Sequence, residues 1–188
     1  GWADAEGIGA ELQRFVDLGF GAVKMRVGAM DRRVETSAAR VLAAREALGP
    51  DIELMIDAHG TCSLPEAKRL MRLVESANLR WFEEPTPLDD HAAAAELRAT
   101  TDVPIAVGES LSTRFDFADV LRLRAADVLQ PDVALVGGIT EAKRVATLAE
   151  TAQLELAPHL WGSAVSYLAG LHVAFASPAA RILEVSLG

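Results

Sequence analysis

The chain has 188 residues, 51% hydrophobic and 24% charged, with a formal net charge of −9. That length and apolar content suffice for one domain with a full core and exclude a disordered or fibrous chain, while the acidic balance disfavours nucleic acid and anionic membranes as partners. The lone cysteine, Cys62, excludes an intramolecular disulfide framework, no apolar run reaches the roughly 18 residues needed to span a bilayer, and no signal peptide is visible, so cytoplasm is the expected compartment.

Taken in chain order, a helix over Ala5 to Leu18 comes first, followed by a short β-favouring run from Ala22 to Val27. A helix carrying Val34, Ala38, Val41, Arg45 and Leu48 at helical spacing follows and stops at Gly49 and Pro50. After a second strand, Ile52 to Ile56, Ser63 is placed to cap a helix with Pro65 in its first turn and Glu66 three residues on. Ala67, Leu70, Met71 and Val74 then form its apolar face. Further strand-like runs are Leu79 to Phe82, Val103 to Val107, Val128 to Gln130, Leu154 to Ala157 and Ile182 to Val185. Strand and helix alternate throughout, which predicts an α/β fold with a parallel sheet.

One polar residue stands at or next to the end of each apolar run: Lys24, Asp57, Glu83, Glu109, Asp132, His159 and Glu184. Each lies about one strand-plus-helix unit from the next. In a (β/α) barrel the C-terminal strand ends meet at one mouth, where chemistry is assembled from separate strands. A complete eightfold barrel needs about 250 residues, and this chain begins with a helix and offers seven strands. The expectation is a TIM-like (β/α) barrel lacking its first strand, with residues 1–188 as one domain and a piece of a longer polypeptide.

Asp57, Glu83 and Glu109 end or follow three successive strands. Neighbouring strands lie about 4.8 Å apart, so the three carboxylates can reach one point, where they would repel unless a cation joined them. Hard oxygen donors without cysteine favour Mg²⁺ over Zn²⁺; three unrelated carboxylates paired with surface bases are the alternative. Lys24 and Arg26 share one face of their strand, and two neighbouring cations there call for an anion such as a bound carboxylate or enolate. Asp132 and His159 fall on adjacent strands, where a carboxylate fixes an imidazole's tautomer and suits it to act as a general base. His91 and His172 lie in helical runs and are set aside.

Lys24-x-Arg26, Ile56-Asp57-Ala58-His59, Trp81-Phe82-Glu83-Glu84-Pro85, Val107-Gly108-Glu109-Ser110, Gln130-Pro131-Asp132 with Gly137-Gly138, and Pro158-His159 occur in this order. Together they resemble the enolase superfamily, mandelate racemase and muconate lactonizing branch, over essentially the whole chain. The resemblance implies the barrel domain of that family without its N-terminal capping domain, and Mg²⁺-dependent removal of the proton α to a carboxylate to give an enediolate. That chemistry belongs to the family and is not read from the spacing.

By the same resemblance Asp57, Glu83 and Glu109 match the metal ligands and Asp132 and His159 the Asp-His dyad. Glu184 matches a glutamate that hydrogen-bonds the substrate carboxylate. Glu84 is expected on the opposite side of its strand in a structural role. Many relatives carry a second lysine where this chain has Arg26; guanidinium is a poor base and a good anion clamp. That substitution favours a one-base elimination over a two-base racemisation, although Lys24 remains available as a base.

His59 resembles the histidine of the Asp-x-His-Gly arrangement in some sugar-acid dehydratases, with a structural role at the strand end as its alternative. The expected reaction is dehydration of a sugar acid to a 2-keto-3-deoxy acid. A racemase, epimerase or cycloisomerase on the same platform and a noncatalytic binding barrel are the other readings. The expected partner is a small carboxylate substrate, with homo-oligomers common in the family.

Overall fold

Short parallel strands alternate with helices along the whole computed structural model, which describes residues 1–185. Two compact units divide at the fourth strand, Gly1–Ile105 and Ala106–Gly188. In the first unit the elements are α1 (Ile8–Asp17), β1 (Ala22–Arg26), α2 (Val34–Leu48), β2 (Glu53–Asp57), α3 (Leu64–Leu73), β3 (Trp81–Glu83) and α4 (His91–Arg98). Strand β4 (Ile105–Val107) spans the division. The second unit continues with α5 (Thr113–Leu123), β5 (Val128–Leu129), α6 (Ile139–Ala152), β6 (Glu155–Leu156) and α7 (Ala164–Phe175).

In the first unit β1, β2 and β3 pair in parallel and in chain order. Val23, Met25, Leu54, Ile56 and Phe82 are buried on these strands, and Leu12, Val41, Ala44 and Leu70 bury the apolar faces of the helices. Gly9 permits a close crossing of α1 on α2, because a Cβ there would stand 2.5 Å from Ala47 Cβ. Helix α3 begins with the full capping box: Ser63 Oγ accepts from Glu66 N–H, and the Glu66 carboxylate accepts from Ser63 N–H. This satisfies two backbone donors that an uncapped helix would leave open.

Arg40, only 2% exposed, ties α2 to the end of β1. Its guanidinium donates to the Arg26 carbonyl at 2.7 Å, to the Ala3 carbonyl at 2.7 Å and to the Asp31 carboxylate at 3.0 Å. The anion and the carbonyls offset the cost of burying its charge.

In the second unit β4, β5 and β6 pair in parallel in the same order. Ala106, Phe117, Val128, Leu129, Val145 and Leu156 form its core. Prolines set the limits of these strands: Pro104 precedes β4, Pro131 follows β5 and Pro158 follows β6, each a residue with no N–H to extend the ladder.

The seventh expected strand, Ile182 to Val185, does not form within the described residues. Chain pairing there is limited to one bridge, Leu156 with Ala180, and a bond from Leu156 N–H to the Ala179 carbonyl at 3.0 Å. With β6 only two residues long and Pro178 just before the bridge, the ladder has one rung to offer and stops. The first helix also starts later than expected, at Ile8, because Asp4 takes the preceding turn. Its Oδ1 accepts from the N–H groups of Glu6 and Gly7.

Candidate active site

Parallel register in the first unit puts Arg26, Asp57 and Glu83 side by side at the ends of β1, β2 and β3. Lys24, Met55 and Trp81 form the row two residues earlier, so both rows face the same side of the sheet. Asp57 and Glu83 are buried, at 4% and 0% exposure. Lys24 Nζ lies 2.5 Å from Glu83 Oε1, and Arg26 Nη1 lies 3.0 Å from Asp57 Oδ2. Trp81 Nε1–H donates to the other Glu83 oxygen at 3.1 Å.

Two of the protein's own carboxylates thus stand beside the cationic pair: the register brings Arg26 to Asp57 on the neighbouring strand, and Lys24 reaches Glu83 on the strand beyond it. Arg26 also lies under the Trp2 ring, 5.5 Å from its centroid, a further stabilisation of the cation. Adjacent buried carboxylates, both hard oxygen donors, fit a hard divalent cation such as Mg²⁺.

Beyond β2 the chain turns sharply. Asp57 Oδ1 accepts from His59 N–H at 2.8 Å, and His59 adopts a left-handed backbone with φ +47°. Its half-exposed ring sets Nδ1 3.4 Å from Oε2 of Glu84, which is buried. Glu84 is also left-handed, φ +38°, so the alternation of the strand ends at Glu83. Its carboxylate turns to His59 as a consequence.

In the second unit the ring of His159 is surrounded by acids. Nδ1 lies 2.7 Å from Asp132 Oδ2, whose other oxygen accepts from Ala134 N–H at 2.7 Å. An ionised carboxylate only accepts, so the ring proton is directed from Nδ1 to Asp132 and Nε2 is the nitrogen that could take another. Nε2 lies 3.5 Å from Glu109 Oε2 and 4.0 Å from Glu184 Oε2. Glu109 is buried, whereas Glu184 keeps about a quarter of its side chain in solvent. Glu184 thus reaches the ring although its segment is not a strand.

Gly108 sets the position of Glu109. Its φ of +135° is closed to most side chains, and a Cβ there would stand 2.7 Å from Phe117 Cε1 and 3.0 Å from Gln130 N. The expected residues therefore gather as Lys24, Arg26, Asp57 and Glu83 in one unit and as Glu109, Asp132, His159 and Glu184 in the other. Trp81 and the Glu84 contact to His59 were not anticipated. Trp81 was accessible to the same two-residue rule that paired Lys24 with Arg26, since it lies two positions before Glu83. No sequence signal marks the left-handed turn at Glu84, because a residue before proline is normally extended.

Residues 7–188 match the family model "Enolase C-terminal domain-like". D-galactonate dehydratase of Ralstonia pickettii is 38% identical over 168 residues, covering 89% of this chain and 44% of that protein. Arabinonate dehydratase of Saccharolobus solfataricus is 34% identical over 173 residues, covering 92% of this chain and 46% of that protein. Among solved structures, a mandelate racemase/muconate lactonizing enzyme-like protein from Rubrobacter xylanophilus superposes with a TM-score of 0.91 at 39% identity. That match covers 96% of this chain and 50% of the other. The chain spans about half the length of these relatives. Among the described residues, no helix is long and apolar enough to cross a membrane.

Proposed function

We infer, for a chain that belongs to the enolase C-terminal domain-like family, that the protein dehydrates a sugar acid to a 2-keto-3-deoxy acid. The observation that carries this reading is His159, its Nδ1 fixed by Asp132 at 2.7 Å and its Nε2 left for the substrate. In this reading Asp57, Glu83 and Glu109 would hold Mg²⁺, which when bound would supply positive charge against the second negative charge that develops on the substrate carboxylate.

His159 Nε2 takes the α-proton, and the electron pair of that C–H bond passes into a carbon–carbon double bond as the carboxylate becomes an enediolate. Glu184, as its carboxylic acid, donates its O–H to an oxygen of the substrate carboxylate. The β C–O bond then breaks, His59 protonates the departing hydroxyl, and water leaves. The resulting enol tautomerises to the 2-keto acid. A general acid is needed because hydroxide is a poor leaving group.

Arg26 supports elimination over racemisation. It is paired with Asp57 at 3.0 Å, and a guanidinium is a poor proton acceptor. The names of two relatives point to galactonate and arabinonate as the first substrates to try.

Incubation with Mg²⁺ and a panel of aldonates and aldarates, with semicarbazide detection of 2-keto acids, tests the reading. A 2-keto acid that disappears with His159→Asn is the expected result. Deuterium entering the α position from D₂O with no water lost on any substrate would replace dehydration by racemisation or epimerisation. Turnover unchanged by Glu109→Gln would remove the site altogether.

A further inference from the structure

Two left-handed residues face each other beside β2 and β3, and neither is a glycine. His59 has φ +47° and Glu84 φ +38°. Such backbone is costly for a residue with a side chain and persists where surrounding contacts over-determine it. Glu84 carries a second penalty, since the proline after it disfavours any helical-type backbone.

The contacts that hold both turns run between the same two segments. The Glu84 carbonyl accepts from Gly60 N–H at 2.7 Å, and its carboxylate Oε2 lies 3.4 Å from His59 Nδ1. Gly60 itself has φ +71°, and a Cβ there would stand 2.9 Å from the Leu88 side chain. The His59 backbone is held from the other side by Asp57 Oδ1. A buried acid is thus aimed at one nitrogen of a half-exposed ring, while the ring itself remains accessible.

We propose that Glu84 is a positioning residue for His59: its carboxylate accepts the Nδ1 proton and so directs Nε2–H toward the substrate. The proposal rests on the reading of His59 as the acid that protonates the departing hydroxyl. The arrangement is looser than that of Asp132 with His159, a carboxylate 3.4 Å from Nδ1 instead of a 2.7 Å hydrogen bond, and closing that gap would leave the far nitrogen to react in the same way.

The test separates two steps of one reaction. In D₂O, deuterium in recovered substrate reports α-proton removal, and 2-keto acid reports loss of water. Glu84→Leu, which keeps volume and removes the acceptor, is expected to lower 2-keto acid formation roughly 10–100-fold. Deuterium exchange should change less than about threefold, because His159 is untouched. Glu84→Gln, whose amide oxygen still accepts from Nδ1–H, should recover most of the loss.

Equal losses in both readouts, or no loss in either, would overturn the role. The ¹⁵N shifts of His59 in the wild-type protein decide the matter independently of any variant's folding. A proton on Nδ1 supports the proposal, and a bare Nδ1 refutes it. A wild-type protein that makes no 2-keto acid from any sugar acid would instead sink the dehydratase reading, and the ¹⁵N measurement would still judge the Glu84 contact.

Discussion

His159 Nδ1 lies 2.7 Å from Asp132 Oδ2, and the second Asp132 oxygen is held by Ala134 N–H at the same distance. The carboxylate is therefore fixed before it fixes the ring. Replacing it with an amide offers Nδ1 either a carbonyl oxygen or an NH₂ group, and the second choice moves the proton to Nε2, where it blocks proton abstraction.

Asp132→Asn is accordingly expected to lower 2-keto acid formation by roughly 10²–10⁴-fold. Unlike the Glu84 variants, it should lower α-proton exchange by a similar factor, since both depend on proton removal by His159. Exchange measured by NMR in D₂O checks this. Exchange at the wild-type rate would mean that another group is the base.

Glu83 is held at both oxygens, by Lys24 at 2.5 Å and by Trp81 Nε1–H at 3.1 Å. Partners behind a metal-binding carboxylate orient it, and their loss costs roughly 10–100-fold in metal affinity. Trp81→Phe keeps the aromatic volume and removes the donor. Calorimetric titration with Mg²⁺ should show a dissociation constant raised by that factor. An unchanged value would separate Glu83 from the ion.

Strand ends from Asp57 to His159 were legible in the sequence because a polar residue closes or soon follows each apolar run, and the helix at Val34–Leu48 and the capping box at Ser63 formed where their residues predicted. What was not legible depends on backbone that leaves those periodicities. Past the last rung of β3 the two-residue alternation has no force, and the positive φ of Glu84 sends its carboxylate to His59. The seventh strand failed for a related reason: the apolar run Ile182 to Val185 has the right composition, but pairing requires a partner with rungs to offer, and the two-residue β6 supplies one. Lys24 and Arg26 were read correctly as sharing a face, while their partners were fixed by a register that no single strand encodes.

Cys62 is expected to be unreactive in the native protein. Burial, reinforced by the nearby carboxylates of Glu66 and Asp31, pushes its thiol up to about 11. The thiolate is the reacting form, so a chromogenic disulfide at pH 8 should react slowly with folded protein and at once in denaturant. An unfolded thiol ionises near pH 8.5. Between that value and about 11 the unfolded chain binds fewer protons than the folded one, so stability falls as pH rises through the window. The slope from this one group is at most about 1.4 kcal/mol per pH unit. Urea melts at pH 8 and 10.5 should show a component of that fall that Cys62→Ala abolishes.

Gly108 links the stability of the second unit to the placement of Glu109. Alanine there meets two separate penalties, a φ of +135° that side chains rarely adopt and a Cβ 2.7 Å from Phe117 Cε1 and 3.0 Å from Gln130 N. The phenyl ring is fully buried and the Gln130 N–H donates to the Val107 carbonyl at 2.9 Å, so neither neighbour can retreat without loosening the core or the β4–β5 ladder. Gly108→Ala is expected to destabilise the protein by about 2–4 kcal/mol, measured as a lower urea midpoint with the same slope. Whatever fraction remains folded should carry a displaced Glu109 and a weaker response to Mg²⁺. Full stability would show that the turn relaxes, and with Mg²⁺ affinity also unchanged, the position of Glu109 would not depend on a residue without a side chain at 108.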